Sequence, residues 1–247
     1  MSAIHNIWTV FKREISSHFS SMLAYVFIVI FVALSTSLAF LFGRFFQTQQ
    51  ASLENSFFVF HPWLFMILGP AIGMRLWADE HRLGTIELLL TMPVKAWHAI
   101  TGKYLASCAV VALALAMTFL MVVTVGELGE PDYGVIWASY FGSFLVGISC
   151  LAITCAVSAF TRSLVACLVI SVSICFGLVV LGIPGSVRFL SQNIGNTLAE
   201  AAKSLSITGH YFDIVTGVIR LKALVFYASL ITFCLFVTSV VIRTKRS

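Results

Sequence analysis

The sequence predicts an all-α integral membrane protein with six transmembrane helices, and three observations carry that expectation. Of its 247 residues, 60% are hydrophobic and only 10% charged, against roughly a quarter charged in a soluble domain. Six apolar runs without Asp, Glu, Lys or Arg recur at about the 20-residue length that crosses a bilayer: residues 22–43, 57–74, 105–125, 135–160, 164–183 and 223–242. The basic residues divide unevenly between the two sides these runs define, ten against five. Backbone polar groups in lipid must be satisfied within the segment, so helices are the default spanning structure. The Lys/Arg excess places both termini in the cytoplasm of a multi-pass protein of the cell inner (plasma) membrane. The +5 net charge is then a topology signal and gives no indication of a nucleic-acid partner. One domain over 1–247 is expected.

Residues 1–20 precede the first run. Ile4, Trp8, Phe11, Ile15 and Phe19 recur at helical spacing, with Lys12 and Arg13 on another face. That pattern fits a helix lying in the membrane interface or a frayed extension of the first span. No cleavable signal peptide is evident, and the first span reads as a retained anchor.

The second run contains His61, Pro62, Gly69, Pro70 and Gly73, which predicts kinks near both prolines. His61 falls near the outer end of that span, either lining a translocation pathway or bonding at the interface. The fourth run carries Gly142, Ser143, Gly147, Ser149, Ala152, Ala156 and Ser158, small residues that permit close helix contact. All six cysteines lie inside predicted spans without a CxxC pair. They predict neither a disulfide framework nor a metal site. Between the last two spans, residues 184–221 predict two short extracytoplasmic helices, roughly 187–204 and 211–221, capping a pathway or anchoring the last helix.

Residues 75–104 concentrate the charge: nine of the thirty are charged or histidine. Gly84-Thr85 reads as a helix start with Glu87 in its first turn, and Pro93 as its stop. A short amphipathic cytosolic helix over 84–92 is expected, its leucines seeking either the membrane surface or a cleft on a partner. A second helix begins near Val94 and runs into the third span.

The stretch ADEHRLGTIELLLTMPVKAWHAITGKY resembles the acid-acid-basic-x-x-Gly-Thr-x-Glu-x-Leu-Leu…Pro…Gly-Lys signature of permease subunits of ABC-2 type ABC transporters. LSITGHYFDIVTGVIRLKALVFY, residues 205–227, is similar to the aromatic-rich motif those permeases carry before the sixth span. Permeases associated with gliding motility are the nearest subgroup in flavour. Asp79 stands where a second glutamate is more usual, and an acid usual near the last span is replaced around Lys222–Leu224. The resemblance implies an ABC-2 (type V) permease bundle with an N-terminal interface helix. It also implies a dimer of ABC ATPase subunits as partner and a second permease subunit, the same chain or another. Residues 84–92 would be the coupling helix, with Glu80, Arg82, Gly84, Thr85, Glu87, Leu89 and Pro93 as ATPase-coupling residues.

Several functions are disfavoured. The chain has no GxxxxGK[ST], and Gly102-Lys103 is followed by Tyr, so no phosphate loop is present. HExxH and GxSxG are also absent. The chain is thus expected to be no enzyme and to bind no cofactor, with ATP and Mg held by the partner ATPase. Secondary carriers usually place acids, bases or broken helices at mid-membrane, and these runs contain almost none. Three functions stay open. They are an exporter of amphipathic or polymeric cargo, an ATPase-coupled force transmitter to an extracytoplasmic partner, and an ATP-independent carrier or channel.

Overall fold

The computed structural model describes residues 3–43, 53–54, 56–84, 96–129, 131–193 and 195–244. Among them the structure is helical, with no strand. In chain order the helices are α1 (Ala3–Ser20), α2 (Met22–Leu41), α3 (His61–Gly73, after a 3-10 turn at Phe58–Phe60) and α4 (Arg75–Leu83). There follow α5 (Ala96–Met117), α6 (Phe119–Leu128), α7 (Tyr133–Phe160) and α8 (Leu164–Val180). The last four are α9 (Pro184–Asn193), α10 (Asn196–Leu205), α11 (Ile207–Val215) and α12 (Leu221–Thr244).

Local sequence explains the boundaries. Asp132 caps α7 by accepting from the N–H groups of Gly134 and Val135, and Ser206 caps α11 by accepting from Gly209 N–H. These side chains satisfy donors that have no partner within the helix. Pro62 lies in the first turn of α3, where its missing N–H is no loss. The kink expected there is therefore replaced by a helix start. Pro70 is inside α3, and the helix ends three residues later before the chain continues as α4. Thr118 separates α5 from α6 and donates its hydroxyl to Leu115 O at 2.6 Å.

Five stretches among the described residues are long and apolar enough to cross a membrane: Met22–Leu41, Phe58–Arg82, Ala96–Glu127, Tyr133–Phe160 and Leu221–Thr244. A sixth arises if α8 and the following helix form one span, bent by 73°. The expected straight span over 164–183 is thus shorter and angled, because Gly182 and Pro184 interrupt it.

Helix α7 is the centre of the bundle and packs against α3, α4, α5, α8, α11 and α12. Gly69 and Gly73, one turn apart on α3, let that contact close. A Cβ on Gly69 would meet Cys150 Cβ at 3.0 Å, and one on Gly73 would meet Thr154 Cβ at 2.8 Å. Without a hydrophobic drive between helices in lipid, such close approach is a main source of association. The core adds Phe31, Phe65, Trp77, Tyr211 and Tyr227, all fully buried. The six cysteines are buried and free.

The 184–221 segment departs from expectation. It holds three helices, not two: Gly195, at φ 119°, ends α9, and Ser206 separates α10 from α11. The helix expected over 211–221 is α11, which starts at Ile207 and stops at Val215, and Gly217, at φ 83°, turns the chain toward α12. Helix α11 is no surface helix, since Ile207, Thr208, His210, Tyr211, Ile214 and Val215 are all buried.

Candidate functional site

The charged segment converges on one residue. Lys103 enters α5 directly after Gly102, and the absence of a side chain at Gly102 brings α1 onto α5. A Cβ there would stand 2.8 Å from Val10 Cγ1 and 3.1 Å from Ile7 O. Lys103 is consequently enclosed between α1, α4 and α5. Its Nζ lies 2.8 Å from Glu80 Oε1 of α4 and 3.3 Å from Glu14 Oε1 of α1. The indole of Trp77 sits 5.3 Å away on a third side, a favourable arrangement for a desolvated ammonium.

A buried ammonium is costly unless paired and hydrogen-bonded, and here two carboxylates share it. Arg13 supplies a second cation to Glu14 at 3.0 Å. Burial of Glu14 works to raise its pKa, but the charges and hydrogen bonds of Lys103 and Arg13 prevail and hold it below 4.5. His18, one turn further along α1, contacts Ser107 Oγ at 3.3 Å. Burial first, with Lys103 and Arg75 adding to it against the pull of Glu14, keeps His18 below 6.5. A cleft of about 520 Å³ opens beside the cluster, lined by Arg13, Glu14, His18, Arg75, Asp79 and Lys103 among others.

Helix α4 is fixed along its length. Arg75 donates to Asp79 at 2.9 Å, Arg82 reaches the same carboxylate at 3.4 Å, and His81 Nε2 donates to Ala159 O of α7 at 3.1 Å. Gly84 then adopts φ 69°, ψ 10° and donates its N–H to Glu80 O. That left-handed conformation suits glycine. Gly84 is therefore the C-cap of α4, and from residue 85 on the helix expected over 84–92 lies outside the described residues.

The sequence-derived coupling residues fall into two groups. Glu80, Arg82 and Gly84 lie on or at the end of α4. Glu80 faces inward to Lys103, Arg82 is exposed and paired with Asp79, and Gly84 is exposed. Thr85, Glu87, Leu89 and Pro93 lie outside the described residues. Sequence reasoning passed over Lys103, Glu14, Gly102 and Trp77. Their signal was a lysine two turns inside an apolar helix, which needs a partner by default.

A second polar cluster lies at the other end of the bundle. Ser143 on α7 precedes Ala159 by a helical rise of about 24 Å, so the two clusters are far apart along α7. Tyr211 of α11 donates its hydroxyl to Phe58 O at 2.8 Å. Because that carbonyl only accepts, the 3.0 Å contact between Tyr211 and Ser143 has Ser143 as donor. Ser143 Oγ in turn accepts from His61 Nδ1 at 2.7 Å, which places a hydrogen on Nδ1. His61, the first residue of α3, is fully buried among the rings of Phe31, Phe57, Phe58 and Phe65. Tyr227 of α12 donates to Ile207 O at 2.9 Å, and Thr208 to Val179 O at 2.9 Å. The aromatic-rich stretch ties α11 to α3, α7, α8 and α12.

The family model described as ABC-2 family transporter protein matches residues 47–243. The chain belongs to the ABC-2 family of transporter proteins. It is a membrane-embedded permease subunit of an ABC transporter, a transmembrane component and not a catalytic domain. Membership implies partnership with an ABC ATPase subunit. No curated protein matches the chain. In this permease the described ends of the charged stretch carry the Glu80–Lys103 pair, and the aromatic stretch carries the Tyr211 and Tyr227 bonds.

Proposed function

We propose that this permease subunit exports an amphipathic or polymeric substrate across the cell inner membrane, with both termini in the cytoplasm. It works with a second permease subunit, the same chain or another, above a dimer of ABC ATPase subunits that hold ATP and Mg. The gliding-motility-associated permeases remain the nearest subgroup on sequence flavour. Residues 1–247 act as one transmembrane domain. The observation that carries the reading is the Glu14–Lys103–Glu80 cluster. It fastens the helix leading into residues 84–92 to both α1 and α5, so force applied to that segment by an ATPase reaches two other helices directly.

Cargo class is supported by the character of the bundle surface. An open groove of about 630 Å³ along α5, α6 and α7 is lined by Leu115, Phe119, Trp137, Tyr140, Phe141 and Phe144. Such walls suit apolar or amphipathic matter better than small hydrated ions. His61, the candidate pathway residue, would act from behind this wall through Ser143 and Tyr211.

The test is co-purification and reconstitution with the ATPase subunit. Glu87→Arg and Gly84→Pro each abolish ATPase assembly or stimulation while membrane insertion persists. Proline cannot adopt the positive φ of residue 84. Unchanged coupling in both variants would remove the coupling role of this segment. Hydrolysis stimulated by amphipathic cargo in liposomes favours export over force transmission.

A further inference from the structure

At the Tyr211 end of the bundle, α10, α11 and the start of α12 enclose a second cleft of about 250 Å³. Lys203, Arg220, Lys222 and His210 line it together with Glu200 and Asp213. Asp213 is engaged by Arg220 at 3.1 Å. Among the described residues no carboxylate lies within ion-pair distance of Lys203 or Lys222. His210 is more than nine-tenths buried and its ring lies tilted against Phe226 at 4.5 Å, yet no hydrogen-bond partner among the described residues reaches either of its nitrogens. Those nitrogens are not sealed off from solvent; they open onto the cavity, which is ringed by cations. Helix α12 also begins here, with the N–H groups of Ala223 and Leu224 taken by Arg220 O. On the flank, Leu205, Val218, Ile219 and Leu221 are exposed, Leu221 by 75%.

We propose that this cleft binds the phosphate headgroup of an anionic membrane lipid, held by Lys203, Lys222 and His210, with the acyl chains lying along the exposed apolar flank. The pairing of a cationic hollow with uncovered aliphatic side chains at the start of a spanning helix selects an amphiphile over a free anion. Glu200 and the Asp213–Arg220 pair limit the site to one anionic group. Burial, reinforced by Lys222 and Lys203 against Asp213, holds His210 below 6.5. A bound phosphate opposes that shift, since the other helices packed on α11, namely α7 and α8, carry no charged residue.

The experiment measures lipid retention by the full-length chain in detergent, by native mass spectrometry, with phosphatidylglycerol and phosphatidylcholine as probes. Phosphatidylglycerol is retained preferentially, and Lys203→Ala with Lys222→Ala weakens its binding about thirtyfold, from the contribution of each cation near a membrane surface. Lys222→Arg keeps binding, which separates charge loss from misfolding, as does an unchanged helical spectrum. Binding strengthens as pH falls below 6.5, and His210→Gln flattens that dependence. Equal retention of the two lipids, or of phosphatidylglycerol by the double variant, overturns the site. Displacement of phosphatidylglycerol by equimolar glycerol phosphate overturns the lipid as its source.

Discussion

Lys103 is one residue whose removal has unequal consequences depending on what remains. Lys103→Met leaves Glu14 and Glu80 facing each other in a largely buried space. Breaking a buried pair on one side costs about 3–5 kcal/mol, and α1 is expected to detach from α5. Adding Glu14→Gln and Glu80→Gln to Lys103→Met restores much of that loss, because no uncompensated charge remains. Limited proteolysis of α1 in detergent distinguishes these outcomes; equal protection in the single and triple variants would refute the pairing. At the opposite end, Tyr211→Phe removes the hydroxyl donor from Phe58 O, which keeps only the His61 N–H, and takes the acceptor from buried Ser143. It should destabilise the protein by about 1–3 kcal/mol while leaving the bundle folded, as read from thermal unfolding.

Helix α1 is the element most exposed to conditions. Two groups on it, Glu14 and His18, have pKa values below their ordinary ones. A depressed value means that the unfolded or undocked state binds more protons, so stability is complete above the ordinary pKa and declines as pH falls. For His18 the decline begins below 6.5, and for Glu14 below 4.5. Hydrogen exchange of α1, corrected for intrinsic rates, should therefore show loosening between pH 7 and pH 4 while α7, which carries no charged residue, stays protected. Equal loosening of both helices would remove the docking role of these two side chains. Element boundaries were partly legible: apolar length gave α2, α7 and α12, whereas the caps at Asp132 and Ser206 were not anticipated, and the helix expected from 211 starts at Ile207. Helix α11 was misjudged because its apolar face reads alike on a surface or in a core. Gly84 caps the C-terminus of α4, a role that only the path of α4 reveals, and the helix expected after it lies outside the described residues.

At the scale of the molecule, the helical multi-span architecture, with five spans or six if the bent pair is one, could be read from composition, whereas its energetic organisation could not. Hydropathy says which segments enter lipid but is blind to which pairs of segments touch. That Glu14, Glu80 and Lys103 meet depends on contacts between residues far apart in sequence. The family signature placed its weight on residues 84–92, which lie almost wholly outside the described residues, while Glu80 and Lys103 on either side of that stretch are joined. The consequence for the assembled transporter is a rigid lever. Cross-linking α4 to α5 through cysteines at residues 80 and 103 should preserve ATPase stimulation in the complex, because the native contact already joins those positions. Loss of stimulation on cross-linking, restored by reduction, would mean that the contact opens during each cycle.

The same cluster also imposes an order of events on synthesis. Glu14 and Glu80 leave the ribosome before Lys103, so Glu80 reaches the membrane without that cation and Glu14 with Arg13 alone. Until α5 follows, α1 has neither its interhelical ion pair nor the flat surface that Gly102 provides. A nascent chain arrested before residue 96 should therefore hold α1 loosely, and release past Lys103 should lock it. The lysine is a checkpoint of biogenesis as well as a brace.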